Sequence, residues 1–173
     1  MHDPDPRTLQ AARSGDLRAF EELVRSYQAE VFRFAIHLTR DHPLAEDVTQ
    51  ETFLRAFRFI GGYRGSQRFG SWLFAIARNC SMDALRKRGR VATMNEPEVR
   101  STPDASLRAE LDAALAAISS DHRDAFLLVE VFGLSYQEAA DVLGVAIGTM
   151  KSRMFRARQA LCRAIAGEEE AAR

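Results

Sequence analysis

The sequence has little cysteine, no long apolar run and no excess of charge of either sign, and each shortage excludes a class of protein. Of 173 residues only two are cysteine, Cys80 and Cys162, far apart and with no Cys-x-x-Cys. A disulfide framework and a cysteine-based zinc site are therefore excluded. Histidines stand only at 2, 37, 42 and 122, none paired with another at ligand spacing, so no metal site is expected. No stretch approaches the roughly 18 apolar residues of a membrane span. The first residues carry Asp3, Asp5 and two prolines in place of an apolar signal core. A cytoplasmic chain with no membrane insertion of its own is the expectation. Gly-x-x-x-x-Gly-Lys, a nucleophile elbow and a His-Glu metal pair are all missing, so no catalytic residue, no cofactor and no enzymatic activity are expected.

What is present is an ordinary globular composition, 46% hydrophobic and 28% charged, with 24 basic and 24 acidic residues. The zero balance hides a segregation. Between Arg64 and Arg90 seven basic residues face Asp83 alone, and from Val142 to Gly167 five basic residues face no acid. Two basic blocks in an acidic remainder suit a protein that meets a polyanion with the blocks and a basic partner with the rest. Solvated helix faces produce similar counts.

Strand-like alternation is scarce and 3.6-residue periodicity recurs, so the fold class expected is all-α: two small helical domains joined by a flexible linker, the second a helix-turn-helix. The first long helix starts after Gly15 with Asp16 as its cap and carries Leu17, Phe20, Val24, Tyr27, Val31, Phe34 and Leu38 as a core stripe. A second runs from His42-Pro43 to Ile60, where Gly61-Gly62 stops it. A third opens at Ser71 and ends in Arg86-Lys87-Arg88-Gly89. Periodicity then lapses between Gly89 and Asp104, where Asn95, Pro97, Ser101, Thr102 and Pro103 mark a linker able to reach roughly 50 Å when extended. Leu107, Leu111, Leu115 and Ile118 form a further stripe, and Asp121 to Phe132 another helix. The divisions expected are a domain over 7–90, a linker over 91–106 and a domain over 107–168.

In the second domain Ser135-Tyr136-Gln137-Glu138 fits a capping box. Ala140, Gly144 and Met150 supply the small residue, glycine corner and apolar anchor of a helix-turn-helix. On the helix that follows, Met150, Met154, Ala157 and Leu161 fall within about 60° of one another and form the core face. Thr149, Ser152, Phe155 and Arg156 lie opposite, flanked by Lys151 and Arg153. Such a face suits the major groove: arginine grips guanine, phenylalanine touches a thymine methyl, and the flanking cations meet phosphate.

In the first domain, the second helix places Ala45, Val48, Thr49, Thr52, Phe53, Ala56 and Ile60 on one side. Asp47, Gln50, Glu51, Leu54 and Arg58 fall on the other. A leucine among carboxylates and an amide suits docking of a basic partner helix, although solvated faces look alike. Before the third helix, Tyr63, Arg64, Arg68 and Phe69 interleave rings and guanidinium groups, with Trp72 just beyond, a chemistry suited to single-stranded nucleic acid. Core aromatics beside a basic surface would read the same way. Cys80 reads as a small core residue.

Three segments in order, Ala45-Glu46-Asp47-Val48-Thr49-Gln50-Glu51-Thr52-Phe53, then Ser71-Trp72-Leu73 through Ala77-Arg78-Asn79 to Asp83, then Gly148-Thr149-Met150-Lys151-Ser152-Arg153 with Arg156-Ala157-Arg158, resemble the extracytoplasmic-function group of bacterial RNA polymerase sigma factors. The resemblance covers roughly Ser14 to Gly167. It implies a first domain that docks Asp47, Gln50, Glu51 and Leu54 on the clamp of the polymerase's largest subunit. It implies that the same domain recognises and melts the minus-10 element, single-stranded, through Tyr63, Arg64, Arg68, Phe69, Trp72, Asn79 and Arg86. The second domain would read the double-stranded minus-35 element through Thr149, Lys151, Ser152, Arg153, Phe155 and Arg156, and sit on the polymerase flap. An anti-sigma factor as a further partner is also implied. The chain departs from the family before Gly148, where Ala146-Ile147 replaces a better-capped helix start.

The function these readings lead to is an alternative sigma factor that binds core polymerase and directs promoter-specific initiation. The alternative is a stand-alone helix-turn-helix regulator, which would bind duplex DNA without polymerase.

Overall fold

The computed structural model describes residues 3–65, 67–91 and 118–171. The chain divides into two compact units, Met1–Arg100 and Ser101–Arg173. Both are helical, and no strand occurs among the described residues. No helix there is long and apolar enough to cross a membrane.

The first unit opens with α1 (Pro6–Arg13), which the sequence reading did not anticipate. Its cause is local: Pro6 suits a first helical position and the Asp5 carboxylate accepts the Thr8 amide at 3.3 Å. Helix α2 (Leu17–Thr39) begins where expected, with Asp16 accepting from the amides of Arg18 and Ala19. Its buried face is Phe20, Leu23, Tyr27, Val31, Phe34, Ala35 and Thr39. Leu17, expected in the core, is 64% exposed, and Leu23 is buried while Val24 is half-buried. The helix closes on Arg40, which takes the left-handed conformation at φ 54°.

Helix α3 (His42–Phe59) follows at once, with Asp41 accepting the Leu44 amide at 2.8 Å and proline in the first turn. Ala45, Val48, Thr52, Phe53 and Ala56 are buried as expected, and a 3₁₀ turn over Ile60–Gly62 ends the element. Helix α4 (Phe69–Val91) starts two residues earlier than the sequence suggested. It buries Leu73, Phe74, Ala77 and Cys80. Phe34 and Phe74 meet edge-on at 5.1 Å in the centre of the unit. A second cluster of Ala35, Ala45, Val48 and Cys80, flanked by Phe32, Ile36, Ile76 and Ala84, joins α2, α3 and α4. The small side chains in this cluster let the three helices approach closely.

In the second unit, α5 (Ser120–Phe126) continues into a π turn over Leu127–Val131, closed by the Phe132 amide on the Leu127 carbonyl at 2.9 Å. Gly133, at φ 69°, ends it. Arg123 is buried and donates to the Ile118 carbonyl at 2.9 Å. Helix α6 (Tyr136–Leu143) carries the expected capping box with both bonds formed, Ser135 to the Glu138 amide and Glu138 to the Ser135 amide. Gly144 at φ 66° turns the chain into α7 (Ile147–Ala171). Met150, Met154, Ala157 and Leu161 are all buried, as their spacing requires. Of the expected linker, only Val91, in the last turn of α4, is among the described residues, and the stripe at Leu107, Leu111 and Leu115 lies wholly outside them. Ile118 is buried.

Candidate nucleic-acid and docking interfaces

Helix α3 turns its polar side outward. Asp47 and Gln50 are exposed, Glu51 is half-buried, and Leu54 is 54% exposed despite being apolar. The exposed apolar surface continues one turn on at Phe57, whose ring packs edge-on against Phe20 at 5.0 Å. Asp47 and Glu51 also stand on the rim of a groove of 780 Å³ between α3 and α4, floored by Leu44, Val48, Cys80 and Ala84. Asp41 closes one end of that groove by accepting from Arg88 at 2.5 Å. The Leu44 amide first, and then Arg88, hold the Asp41 carboxyl below the usual carboxylate range.

The loop before α4 is built on rings. Tyr63, Phe69 and Trp72 form a triangle with centroids 5.3 to 5.7 Å apart, and Tyr27 abuts Phe69 at 5.3 Å. Tyr63 and Phe69 are buried and Trp72 is half-buried, so these rings are the floor of the loop rather than its outer surface. The Tyr63 hydroxyl donates to the Gln67 carbonyl at 2.5 Å and pins the loop across its neck. Burial pushes the Tyr63 phenol up, and raises Tyr27 to about 12, with Asp3 adding to both. Exposed Arg64 and half-buried Arg68 flank this floor, while exposed Asn79 and Arg86 lie farther along α4, about two and four turns beyond Trp72. Arg68 donates from Nε to both oxygens of Asp3, at 3.2 and 3.1 Å. Arg86 donates to Asp83 at 2.6 Å. The structure therefore gathers the three rings with Arg64 and Arg68 at the start of α4, as a buried aromatic base with a cationic edge, and leaves Arg86 about four turns away along the same helix.

On α7, Thr149, Lys151, Ser152 and Arg156 are exposed and Phe155 is 62% exposed. Arg153 stands apart: it is half-buried and donates to Asp121 at 2.6 Å, tying α7 to the start of α5. Arg158 makes a matching tie to Glu130 at 2.6 Å. These ties leave the outward face of α7 to Ser152, Phe155 and Arg156, with Lys151 beside them.

Sequence reasoning missed Arg55, which bonds Glu51 on its own helix and Asp83 on α4. Its spacing of four from Glu51 signals the first bond. The second joins two helices and has no signal in the sequence. The ion pair between Asp3 and Arg68, 65 residues apart, was likewise invisible.

The described residues thus form one helical unit with an acidic, leucine-bearing face and a second, helix-turn-helix unit with a cationic face. The Sigma-70 region 2 family matches residues 23–91, and Sigma-70, region 4 matches residues 108–161. The RNA polymerase sigma-H factor of Pseudomonas aeruginosa is 34% identical over 182 residues, covering 94% of each chain. The ECF RNA polymerase sigma factor SigC of Mycobacterium tuberculosis is 38% identical over 159 residues, covering 87% of this chain and 85% of that one. Among solved structures, the sigma factor RpoE of Bartonella quintana, crystallised with the anti-sigma factor NepR, superposes with a TM-score of 0.74 at 31% identity, covering 87% of this chain and 98% of that one. CnrH, in complex with the cytosolic domain of CnrY, gives a TM-score of 0.72 at 25% identity over 93% of this chain and 96% of that one. The chain belongs to the Sigma-70 family, within its extracytoplasmic-function group.

Proposed function

We propose that the chain is a dissociable specificity subunit of bacterial RNA polymerase, a cytoplasmic alternative sigma factor that binds the core enzyme and directs it to a set of promoters. The observation that carries this reading is one chain holding both an acidic docking face on α3 and an outward cationic face on α7. In this reading Asp47, Gln50, Glu51 and Leu54 meet the clamp of the largest subunit. Leu54 supplies apolar contact and the acids select a basic partner surface.

The minus-10 segment, as a single strand, lies over the loop before α4. Tyr63, Phe69 and Trp72 give it a rigid aromatic base, while Arg64, Arg68, Asn79 and Arg86 contact its phosphates and base edges. The minus-35 element, as a duplex, receives α7. Ser152, Phe155 and Arg156 face the bases, and Thr149 and Lys151 face the backbone. Arg153 contributes by holding α7 in place through Asp121. The chain supplies recognition and strand separation, and the polymerase supplies catalysis. Control by an anti-sigma factor, the kind of partner with which the Bartonella quintana relative was crystallised, completes the reading.

Run-off transcription with purified core polymerase, with and without this chain, on pooled genomic promoter fragments tests it. The expected outcome is chain-dependent transcripts whose upstream regions share minus-35 and minus-10 motifs. Specific duplex binding by the chain alone, with no such transcripts, would establish the stand-alone regulator instead.

A further inference from the structure

The structure assigns Arg55 the role of a positioning residue that couples polymerase docking on α3 to DNA binding on α4, an inference that rests on the reading of Glu51 and Arg86 given above. Arg55 Nε donates to Glu51 Oε1 at 2.7 Å, and its Nη1 donates to Asp83 Oδ2 at 3.1 Å. The other oxygen of Asp83, Oδ1, accepts from Arg86 Nη2 at 2.6 Å. Glu51, Arg55, Asp83 and Arg86 thus alternate in charge without a break from the docking stripe on α3 to the exposed arginine on α4.

One end of this chain of charges belongs to each proposed interface, and neither interior member belongs to either. The Arg55 guanidinium is one planar fork serving two carboxylates on different helices. When a cationic surface of the polymerase takes Glu51, Arg55 gives its charge to Asp83. Asp83 then holds Arg86 less strongly, and Arg86 turns to phosphate. Arg86 also donates from Nε to the Met82 carbonyl at 3.2 Å, a bond within its own helix that keeps its base in place during the exchange. By linkage the reverse holds: DNA on Arg86 draws Arg55 toward Asp83 and leaves Glu51 freer for the polymerase. Lys87 adds positive charge near Asp83 and favours the same release.

The exchange moves contacts and not protons. Glu51 and then Asp83 hold the Arg55 guanidinium firmly cationic, and Arg55 first among its neighbours keeps the Asp83 carboxyl below the usual carboxylate range. Arg55 has 30% of its side chain exposed, Glu51 43% and Asp83 37%, so water moderates each pair and the coupling is modest.

The test measures, by fluorescence anisotropy at saturating core polymerase, the affinity of holoenzyme for a labelled single strand carrying the minus-10 segment of a promoter found by run-off transcription. Arg55→Gln leaves Asp83 wholly to Arg86, and affinity falls about two- to fivefold, the range of partly exposed ion pairs. Adding Asp83→Asn to Arg55→Gln removes the Asp83 charge from Arg86 and brings affinity back to that of Asp83→Asn alone. A merely structural role for Arg55 would leave the double variant as weak as Arg55→Gln, and that result overturns the coupling, as does native affinity in Arg55→Gln. Arg86→Ala is measured alongside. If it weakens binding while Arg55→Gln does not, only the coupling is wrong. If Arg86→Ala binds as tightly as the native chain, the placement of Arg86 on DNA is wrong and the coupling falls with it.

Discussion

Two arginines three positions apart on α7 illustrate how a single side chain is assigned. Arg156 is exposed and points away from the core, whereas Arg153 spends its guanidinium on Asp121. Arg156→Ala should therefore weaken a cognate promoter by about 1–3 kcal/mol and leave promoters with a different base at that position less affected. Competition binding on a panel of minus-35 variants measures this, and an equal loss on every sequence would assign Arg156 to phosphate. Arg153→Ala should lower the unfolding free energy by about 0.2–1 kcal/mol, the range for a partly exposed pair, without shifting base preference. Both arginines lie in one basic stretch, and the sequence gives no hint that one of them faces an acid 32 positions away.

Helix boundaries and faces were largely legible because their determinants are local. The Asp16 cap, the capping box and the glycine corner at Gly144 each act within a few residues, and each is found where the spacing placed it. Ser135→Ala should cost about 1 kcal/mol of stability in urea titration and weaken promoter binding evenly, since it loosens the unit that presents α7. What escaped reading was set by packing. Helix α1 is too short for periodicity to mark it among prolines and acids, although Asp5-Pro6 is itself a helix start. Tyr63 and Phe69 cannot be told from exposed stacking rings until the partners Tyr27 and Trp72 are placed against them. The clip between Asp41 and Arg88 is also tertiary, joining the start of α3 to the last turns of α4. Because the folded Asp41 carboxyl titrates below its unfolded value near 3.9, its contribution is complete above that pH and is lost as pH falls through the folded value. Urea denaturation at neutral pH and near pH 3 should show this loss. Asp41→Asn should be less stable than the native chain at neutral pH and lose less on acidification.

For the molecule as a whole, zero net charge coexists with two basic blocks. Salt sensitivity in promoter binding must then come from the placement of charge and not from its sum. Holoenzyme affinity for a promoter should fall linearly on a log–log plot against salt, and Lys151→Ala should reduce that slope by about one while weakening all promoters alike. The two thiols are also unequally placed: Cys80 is buried beside Thr52 beneath the groove between α3 and α4, where burial pushes the thiol up, and Cys162 stands exposed on α7. Maleimide dyes should therefore attach to Cys162 in the native protein and reach Cys80 only after unfolding. The unmodified sequence thus carries its own single attachment point for a fluorophore, on the helix proposed to read the minus-35 element. Energy transfer to labelled promoter DNA could then report that helix's arrival at the duplex in real time, without engineering a cysteine in or out.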